Sequence, residues 1–183
     1  MAYQHKTVHN TKTGQRIQFL QTAQDTKGAL LEMETTYQGY STEPISHYHP
    51  YQVEDFTVLK GELTVRVNGT LRILKEGDTL HLPANTIHAM WNNADQPTVV
   101  NWKVQPALNT EHLLETGMGL ANDNKTNDQS RPPLLQTALT VNKFSKVYRL
   151  AKPPFIIQKI VFTILTPFSY LLGYRPTYEK YLD

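Results

Sequence analysis

The chain of 183 residues contains no cysteine, and this absence removes several classes of function. Without a thiol there can be no disulfide scaffold, iron–sulfur cluster, zinc ribbon or cysteine nucleophile. A strong excess of one charge is also absent, since the formal net charge is only +2, and this argues against a general nucleic-acid binder. The opening residues MAYQHKTVHN contain no apolar stretch, so we expect no secretory signal peptide.

The positive charge is concentrated near the end of the chain. Residues 1–142 hold 11 Lys/Arg and 14 Asp/Glu, a balance of −3, whereas residues 143–183 hold 7 and 2, a balance of +5. A typical domain has about 100–150 residues. The length and the uneven charge therefore predict one domain with a basic appendage rather than two equal domains.

Residues 1–106 predict an all-β domain. Short apolar or alternating runs are separated by turn signals about every 8–12 residues, a spacing typical of a sandwich or barrel. Asn68-Gly69 joins two such runs, and this dipeptide strongly favours a tight hairpin. The main predicted strands are Arg16–Leu20, Ala29–Glu34, Val53–Leu59, Leu63–Val67, Leu71–Leu74, Thr79–Leu82, Ile87–Trp91 and Thr98–Val104.

The rest of the chain has a different pattern. Residues 107–115 predict a short helix with Asn109 or Thr110 as its N-cap, and the polar residues 117–133 predict a loop, so residues 107–133 form a connecting segment. Residues 134–183 predict a helical extension, because their apolar residues recur with a helical period. Pro167 lies inside this extension and predicts a kink or a break.

The apolar stripe of the C-terminal extension has two interpretations. Such stripes normally face a core, so we expect it to cover the barrel or a dimer partner. The less favoured alternative is contact with a membrane surface, since the extension is both basic and amphipathic. A membrane-spanning helix is excluded, because polar residues and Pro167 interrupt the twenty residues 155–174.

One segment brings metal-binding side chains together. His47 and His49 are two residues apart, so on a strand both imidazoles face the same side. Glu54 lies at an odd offset from His49, but Pro50 breaks the strand and lets Glu54 begin the next one facing inward. His88 follows on a later strand. These histidines and the carboxylate predict a site for one divalent first-row metal ion, with open positions for water or substrate.

Two motifs in the same region resemble those of the cupin family. Within residues 39–61 the pattern HxHx4Ex6G is similar to the first cupin motif, and residues 77–92 read Gx5PxNx2Hx3N, similar to the second. The resemblance covers roughly residues 30–105. Gly39 lies further from His47 than in the family pattern, and Asn85 replaces a glycine but tolerates left-handed backbone. Neither difference affects a ligand position.

The resemblance implies a fold and a metal site. The fold is a jelly-roll cupin barrel, a double-stranded β-helix, followed by the α-helical extension. Carried over by position, the metal ligands are His47, His49, Glu54 and His88, and the cofactor is one divalent ion of Fe, Mn, Ni, Co or Zn. HPxQxE at residues 49–54 and LLGY at residues 171–174 are similar to a group of bacterial single-domain cupins. Such proteins are usually cytoplasmic homodimers, which is the expectation here.

The metal site is also similar to that of quercetinase-like dioxygenase cupins. The leading hypothesis is therefore a metal-dependent dioxygenase-like enzyme for a small organic substrate, with Glu54 as ligand and as proton acceptor. The second of these roles requires a raised carboxyl pKa. Two other classes stay open. One is a metal-dependent isomerase, lyase or hydrolase that would use Arg66 or Lys103 to hold an anion, and the other is a non-catalytic small-molecule-binding or sensory cupin.

Three further residues are candidates for an apolar substrate pocket. Phe56 and Met90 lie two residues beyond Glu54 and His88, so both should face inward, and Trp102 is placed on the last strand. Ordinary core packing is the favoured interpretation of all three, and substrate contact is the alternative.

Overall fold

The computed structural model describes residues 2–182, which form two antiparallel sheets facing each other, with helices after them. One sheet has the strand order β1-β2-β3-β10-β5-β8 and the other has the order β11-β4-β9-β6-β7. The strands are β1 (Thr7–His9), β2 (Arg16–Gln21), β3 (Leu31–Tyr37), β4 (His47–Tyr48), β5 (Val53–Lys60), β6 (Glu62–Val67), β7 (Thr70–Lys75), β8 (Thr79–Leu82), β9 (His88–Trp91), β10 (Thr98–Gln105) and β11 (Arg149–Leu150). The helices are α1 (Thr110–Asn122), α2 (Leu134–Lys143), α3 (Phe155–Leu171) and α4 (Glu179–Leu182). The predicted all-β barrel with a C-terminal helical extension is confirmed.

Alternation of side chains along the strands builds the core between the sheets. Ile17 and Phe19 on β2 and Leu31 and Met33 on β3 are completely buried, while their neighbours along each strand are more exposed. This follows from the two-residue period of a strand, which places alternate side chains on one face. A second buried cluster fills the barrel near β5, β6 and β9 and includes Phe56.

Two turns confirm the expectations from their residue types. Asn68 and Gly69 have φ angles of 48° and 87°, the positive values that a tight hairpin turn between twisted strands requires. Asn85 has a φ angle of 67°, and its backbone N–H donates to the carbonyl of His49 at 2.9 Å. Asparagine therefore adopts the left-handed conformation that a glycine would otherwise supply. The Asn85 turn also fixes the backbone beside a predicted metal ligand.

The connecting segment contains a longer helix than its sequence predicted. The predicted loop at residues 117–133 is wrong in its first part, because α1 continues through Gly117 and Gly119 to Asn122. A side chain at Gly119 would overlap the ring of Tyr181 on α4, whereas a side chain at Gly117 would meet no neighbour. Gly119 thus serves close packing of the chain end onto α1, and Asn109 is the N-cap as predicted.

The extension also differs from its predicted form. It contributes the strand β11 to the barrel, and α3 runs through Pro167 to Leu171, so of the predicted kink or break the break is wrong. Its apolar stripe does not cover the barrel. Instead, the side chains that α3 buries are Gln158, Phe162 and Ser169, and most of its isoleucines are exposed.

The two glycines of α1 provide a matched test of this packing. Gly117→Ala should raise the free energy of unfolding by about 0.5–1 kcal/mol, because alanine favours a helix and nothing obstructs its methyl group. Gly119→Ala gains the same helix propensity but displaces Tyr181, whose hydroxyl donates to Asp123 at 2.6 Å. We expect Gly119→Ala to be at least about 1 kcal/mol less stable than Gly117→Ala in urea unfolding. Equal stabilities would contradict this packing role.

Candidate metal centre

Four side chains from both sheets converge between β4, β5 and β9. His47 on β4 and His88 on β9 are direct cross-strand partners, and His49 follows the end of β4. One ring nitrogen from each of these histidines lies within 4.8 Å of the others. Glu54 on β5 reaches this cluster from the opposite sheet, with its Oε2 3.3 Å from His49 Nε2 and 3.1 Å from His88 Nε2. The side chains predicted from the motifs therefore meet in one place.

Backbone carbonyls contact the Nδ1 atoms of all three imidazoles. His47 Nδ1 lies 3.1 Å from the carbonyl oxygen of Ile45, and His88 Nδ1 lies 2.9 Å from that of Thr86. His49 Nδ1 lies 2.6 Å from the carbonyl oxygen of Val147. A carbonyl only accepts hydrogen bonds, so each Nδ1 carries the proton. In the neutral imidazole Nε2 then presents its lone pair, as in a typical metal-binding histidine.

Two buried acceptors at the centre of the cluster lack hydrogen-bond donors. Among the described residues, neither His49 Nε2 nor Glu54 Oε2 has a hydrogen-bond partner, although both are buried. Buried polar atoms are nearly always satisfied, so such a pair indicates a group that completes it. Lone pairs of nitrogen and oxygen that face one another are satisfied by a cation. The donor set fits a divalent first-row transition metal.

The charges in the cluster match this use. Burial by itself raises the pKa of Glu54, but His49, His88 and His47 outweigh burial and lower the pKa to about 2. Burial lowers the pKa of His49, and it lowers the pKa of His47 well below 6.5, with His88 and His49 adding to the effect on His47. The cluster therefore holds a carboxylate beside two neutral imidazoles, those of His47 and His49. The shift of Glu54 is opposite to the raised pKa that a proton acceptor needs, so its chemistry favours the ligand role.

His88 differs from the other two imidazoles. Burial lowers its pKa, but the Glu54 carboxylate, whose Oε2 lies 3.1 Å from His88 Nε2, outweighs burial and raises the net pKa of His88. Without a metal ion, protonation of His88 therefore places a proton on Nε2, between this atom and Glu54 Oε2.

Trp102 orients the carboxylate. Its Nε1 donates to Glu54 Oε1 at 3.0 Å, and this leaves Oε2 directed at the imidazoles. The contact follows from strand register: Val104 pairs with Glu54, so Trp102 is its diagonal neighbour on the same face of the sheet. Phe56 stacks on Trp102 with the ring centroids 5.7 Å apart, and Phe56 and Met90 are buried members of the barrel core. Substrate contact by these three residues stays a prediction.

The C-terminal extension contributes to the cluster in a way that its sequence did not indicate. The strand β11 pairs with β4, with Leu150 opposite His47. The ring of Tyr148 stacks on His47 with centroids 4.6 Å apart, and Val147 supplies the carbonyl that holds His49. The strand β11 has only two residues and lies about 100 positions from His47, so it shows no hydrophobic period in the sequence. Only a signal that links distant residues would have revealed its pairing with β4.

The two cations considered for anion binding lie outside the cluster. Arg66 is the register partner of Ala89, whose side chain points away from the face that carries His88, and Arg66 Nε pairs with Glu43 at 2.7 Å. Lys103 is 44% exposed and lies 3.5 Å from Glu32. Neither side chain can hold an anion beside the imidazoles.

Comparison with known proteins agrees with this architecture. A family model described as "Cupin domain" matches residues 33–103. A segment of 45 residues is 44% identical to quercetin 2,3-dioxygenase of Bacillus subtilis, and the match covers 25% of this chain and 13% of that protein. The chain thus corresponds to a small part of that relative.

Two solved structures illustrate the structural similarity. "KdgF from Halomonas sp." is 16% identical with a TM-score of 0.45, and the match covers 53% of this chain and 84% of that one. "A predicted oxalate decarboxylase" from Thermotoga maritima is 17% identical with a TM-score of 0.48, and the match covers 50% and 80% of the two chains. Residues 33–103 thus match a cupin domain, and the two antiparallel sheets and the histidine cluster between them agree with that match.

Proposed function

We propose that the chain binds one divalent transition metal ion through the Nε2 atoms of His47, His49 and His88 and through Glu54 Oε2. The observation that carries this proposal is the pair of buried acceptors, His49 Nε2 and Glu54 Oε2, which face each other without a donor among the described residues. A bound ion would act as a Lewis acid and, if redox-active, as an electron donor to dioxygen. Its identity among Fe, Mn, Ni, Co and Zn is a matter for elemental analysis.

We further propose dioxygenase-like chemistry on a small organic substrate. The local identity to a quercetin 2,3-dioxygenase supports this class. The outward positions of Arg66 and Lys103 disfavour the alternative of an isomerase or lyase for phosphorylated substrates, because such substrates need a cation inside the site. A small ligand without a phosphate group suits the buried cluster better.

The residues of the chain prepare the site before any ligand arrives. The carbonyls of Ile45, Thr86 and Val147 orient the imidazoles, so no rearrangement is needed for their lone pairs to converge. Trp102 holds one carboxylate oxygen of Glu54 and leaves the other free to bind. His47 is the half-buried member of the cluster, whereas His49 and His88 are buried, so a substrate would approach on the side of His47.

The metal site is tested by removing one ligand. We expect the purified wild-type protein to contain about one equivalent of a transition metal. His49→Ala should reduce the affinity for Co(II) at least about 100-fold, because it removes a ligand that Val147 holds in place. Elemental analysis and titration calorimetry measure this.

The matched control for that variant is His81→Ala. His81 is an exposed histidine on β8 that contacts Asp55 rather than the cluster, so its loss should leave the metal content unchanged. Circular dichroism confirms that both variants are folded. Retention of full metal affinity by His49→Ala would show that the ligand set is wrong.

Metal affinity should increase with pH. The pKa of His88 is raised in the folded protein, so below that pKa the His88–Glu54 pair holds a proton that the metal ion must displace. The same pair stabilises the metal-free fold most fully below pH 6.5, and this contribution is lost as the pH rises through the raised pKa. Calorimetry in buffers of different ionisation enthalpy should detect about one proton released per metal ion at pH 6 and a smaller number at pH 9. A constant number across this range would contradict the assignment.

Oxygenase chemistry is tested by oxygen consumption. Protein loaded with Fe(II), Mn(II), Co(II) or Ni(II) is mixed with flavonols, diketones and catechols, and dissolved oxygen is recorded with an electrode. We expect uptake with at least one combination, reduced at least about tenfold in Trp102→Phe, which keeps the ring but loses the donor to Glu54. Metal bound in full with no uptake on the whole panel would reject the oxygenase and favour the non-catalytic binding cupin.

A further inference from the structure

The helix α3 exposes a continuous apolar face. This face, called the α3 apolar face below, consists of Ile156, Ile157, Ile160, Val161, Ile164, Phe168 and Leu171. Its side chains are between 41% and 83% exposed. At about 100° per residue they fall within an arc of about 140° on a helical projection, so they form one surface. Monomeric proteins rarely leave contiguous apolar patches larger than a few hundred Å² in contact with water.

Polar bonds on the other side of α3 hold this face outward. Gln158 is buried, and its Nε2 donates to the carbonyls of Leu150 at 2.8 Å and Pro153 at 2.6 Å. The buried Ser169 hydroxyl lies within hydrogen-bond distance of two carbonyls, that of Leu135 on α2 at 3.1 Å and that of Leu165 on its own helix at 2.9 Å. Rotating the helix to bury its isoleucines would break these hydrogen bonds and leave the buried polar groups without partners. The exposure of the apolar face is therefore built into the packing of α3 on α2.

The segment that contains α3 carries charges of one sign. Residues 129–178 contain no aspartate or glutamate, and they contain seven basic residues. Lys152 lies just before α3 and Lys159 lies on the helix beside the apolar face, and both are exposed. Arg175 lies beyond the last turn, where its guanidinium donates to the carbonyls of Tyr170 and Tyr174. Cations thus flank the apolar face along its length.

The apolar face and the basic residues beside it together indicate what kind of surface could cover α3. A second copy of the chain paired about a two-fold axis through α3 would bring Lys159 and its neighbours together without an acidic residue in residues 129–178 to pair with them. Insertion across a bilayer does not fit either, since no helix in residues 2–182 is long and apolar enough to cross a membrane. A surface with an apolar interior and anionic groups at its boundary complements both the isoleucines and the lysines.

We propose that the α3 apolar face docks onto the surface of a bilayer that contains anionic phospholipids. The helix lies in the plane of the interface, with its isoleucines at the boundary between headgroups and acyl chains. Lys152 and Lys159 meet the lipid phosphates, and the barrel stays in water. The helix α3 begins a few residues after β11, the strand whose Leu150 pairs with His47.

Co-sedimentation of the full chain with vesicles tests the proposal. Vesicles of phosphatidylcholine alone are compared with vesicles containing 30% phosphatidylglycerol, a fraction of about one lipid in three chosen to give a strongly negative surface. We expect the wild-type protein to bind the anionic vesicles at least about tenfold more strongly, and raising the salt concentration should weaken this binding.

A pair of double variants isolates the apolar contribution. I160E with I164E should reduce binding to anionic vesicles at least about tenfold, because two side chains of the face become charged. The matched control is L71E with I73E on β7, whose side chains are 52% and 56% exposed, close to the 58% and 60% of Ile160 and Ile164. The control adds the same two charges far along the chain from α3 and should cause a clearly smaller loss. Thermal unfolding and metal content confirm that both variants are folded.

Removal of two cations isolates the electrostatic contribution. K152A with K159A should weaken binding to anionic vesicles about tenfold or more and leave the weak binding to phosphatidylcholine unchanged. The proposal is overturned if the wild-type protein does not sediment with anionic vesicles, or if both glutamate double variants reduce binding equally. It is also overturned if the protein forms a dimer in analytical ultracentrifugation that I160E with I164E converts to a monomer, since the face is then covered by a second copy.

Discussion

The structure depends above all on how a buried carboxylate and three imidazole lone pairs are made compatible with one another. Burial alone raises the pKa of Glu54, yet the surrounding histidines outweigh it and lower the pKa to about 2. The carbonyls behind each ring hold the proton on Nδ1 and direct Nε2 inward. The result is a concentration of acceptors that a bound metal cation would satisfy. The two sheets, the Asn85 turn and the strand β11 all serve to hold this arrangement.

The C-terminal extension belongs to the site rather than standing apart from it. Val147 binds the ring of His49, Tyr148 stacks on His47, and β11 continues the sheet that carries them. Five residues after the end of β11 the same segment starts α3, whose polar side faces the protein and whose apolar side faces outward. A single stretch of chain therefore links the histidine cluster to the exposed face. The positive charge of the chain lies on this stretch, since residues 143–183 carry a balance of +5 and residues 1–142 a balance of −3.

Most of the barrel and the members of the cluster were predictable, because their signals are local. Alternation along β5 and β6, the Asn68-Gly69 turn and the spacing of His47 and His49 each need only a few neighbouring residues. The end of α1 was not predictable, since a glycine usually ends or weakens a helix. Here Gly119 is present because the ring of Tyr181, far along the chain, packs against it.

By itself, the sequence determined the fold class, the candidate ligands and the basic, amphipathic character of the extension, since residue type and spacing act over short distances. Only the tertiary structure decided which carbonyls orient the imidazoles, in which direction the pKa of Glu54 moves, and which side of α3 faces water. Each of these depends on groups that are distant in sequence but adjacent in space. Gln158 and Ser169 show the reason most clearly, because their bonds to Leu150 and Leu135 outweigh the preference of isoleucine for a core.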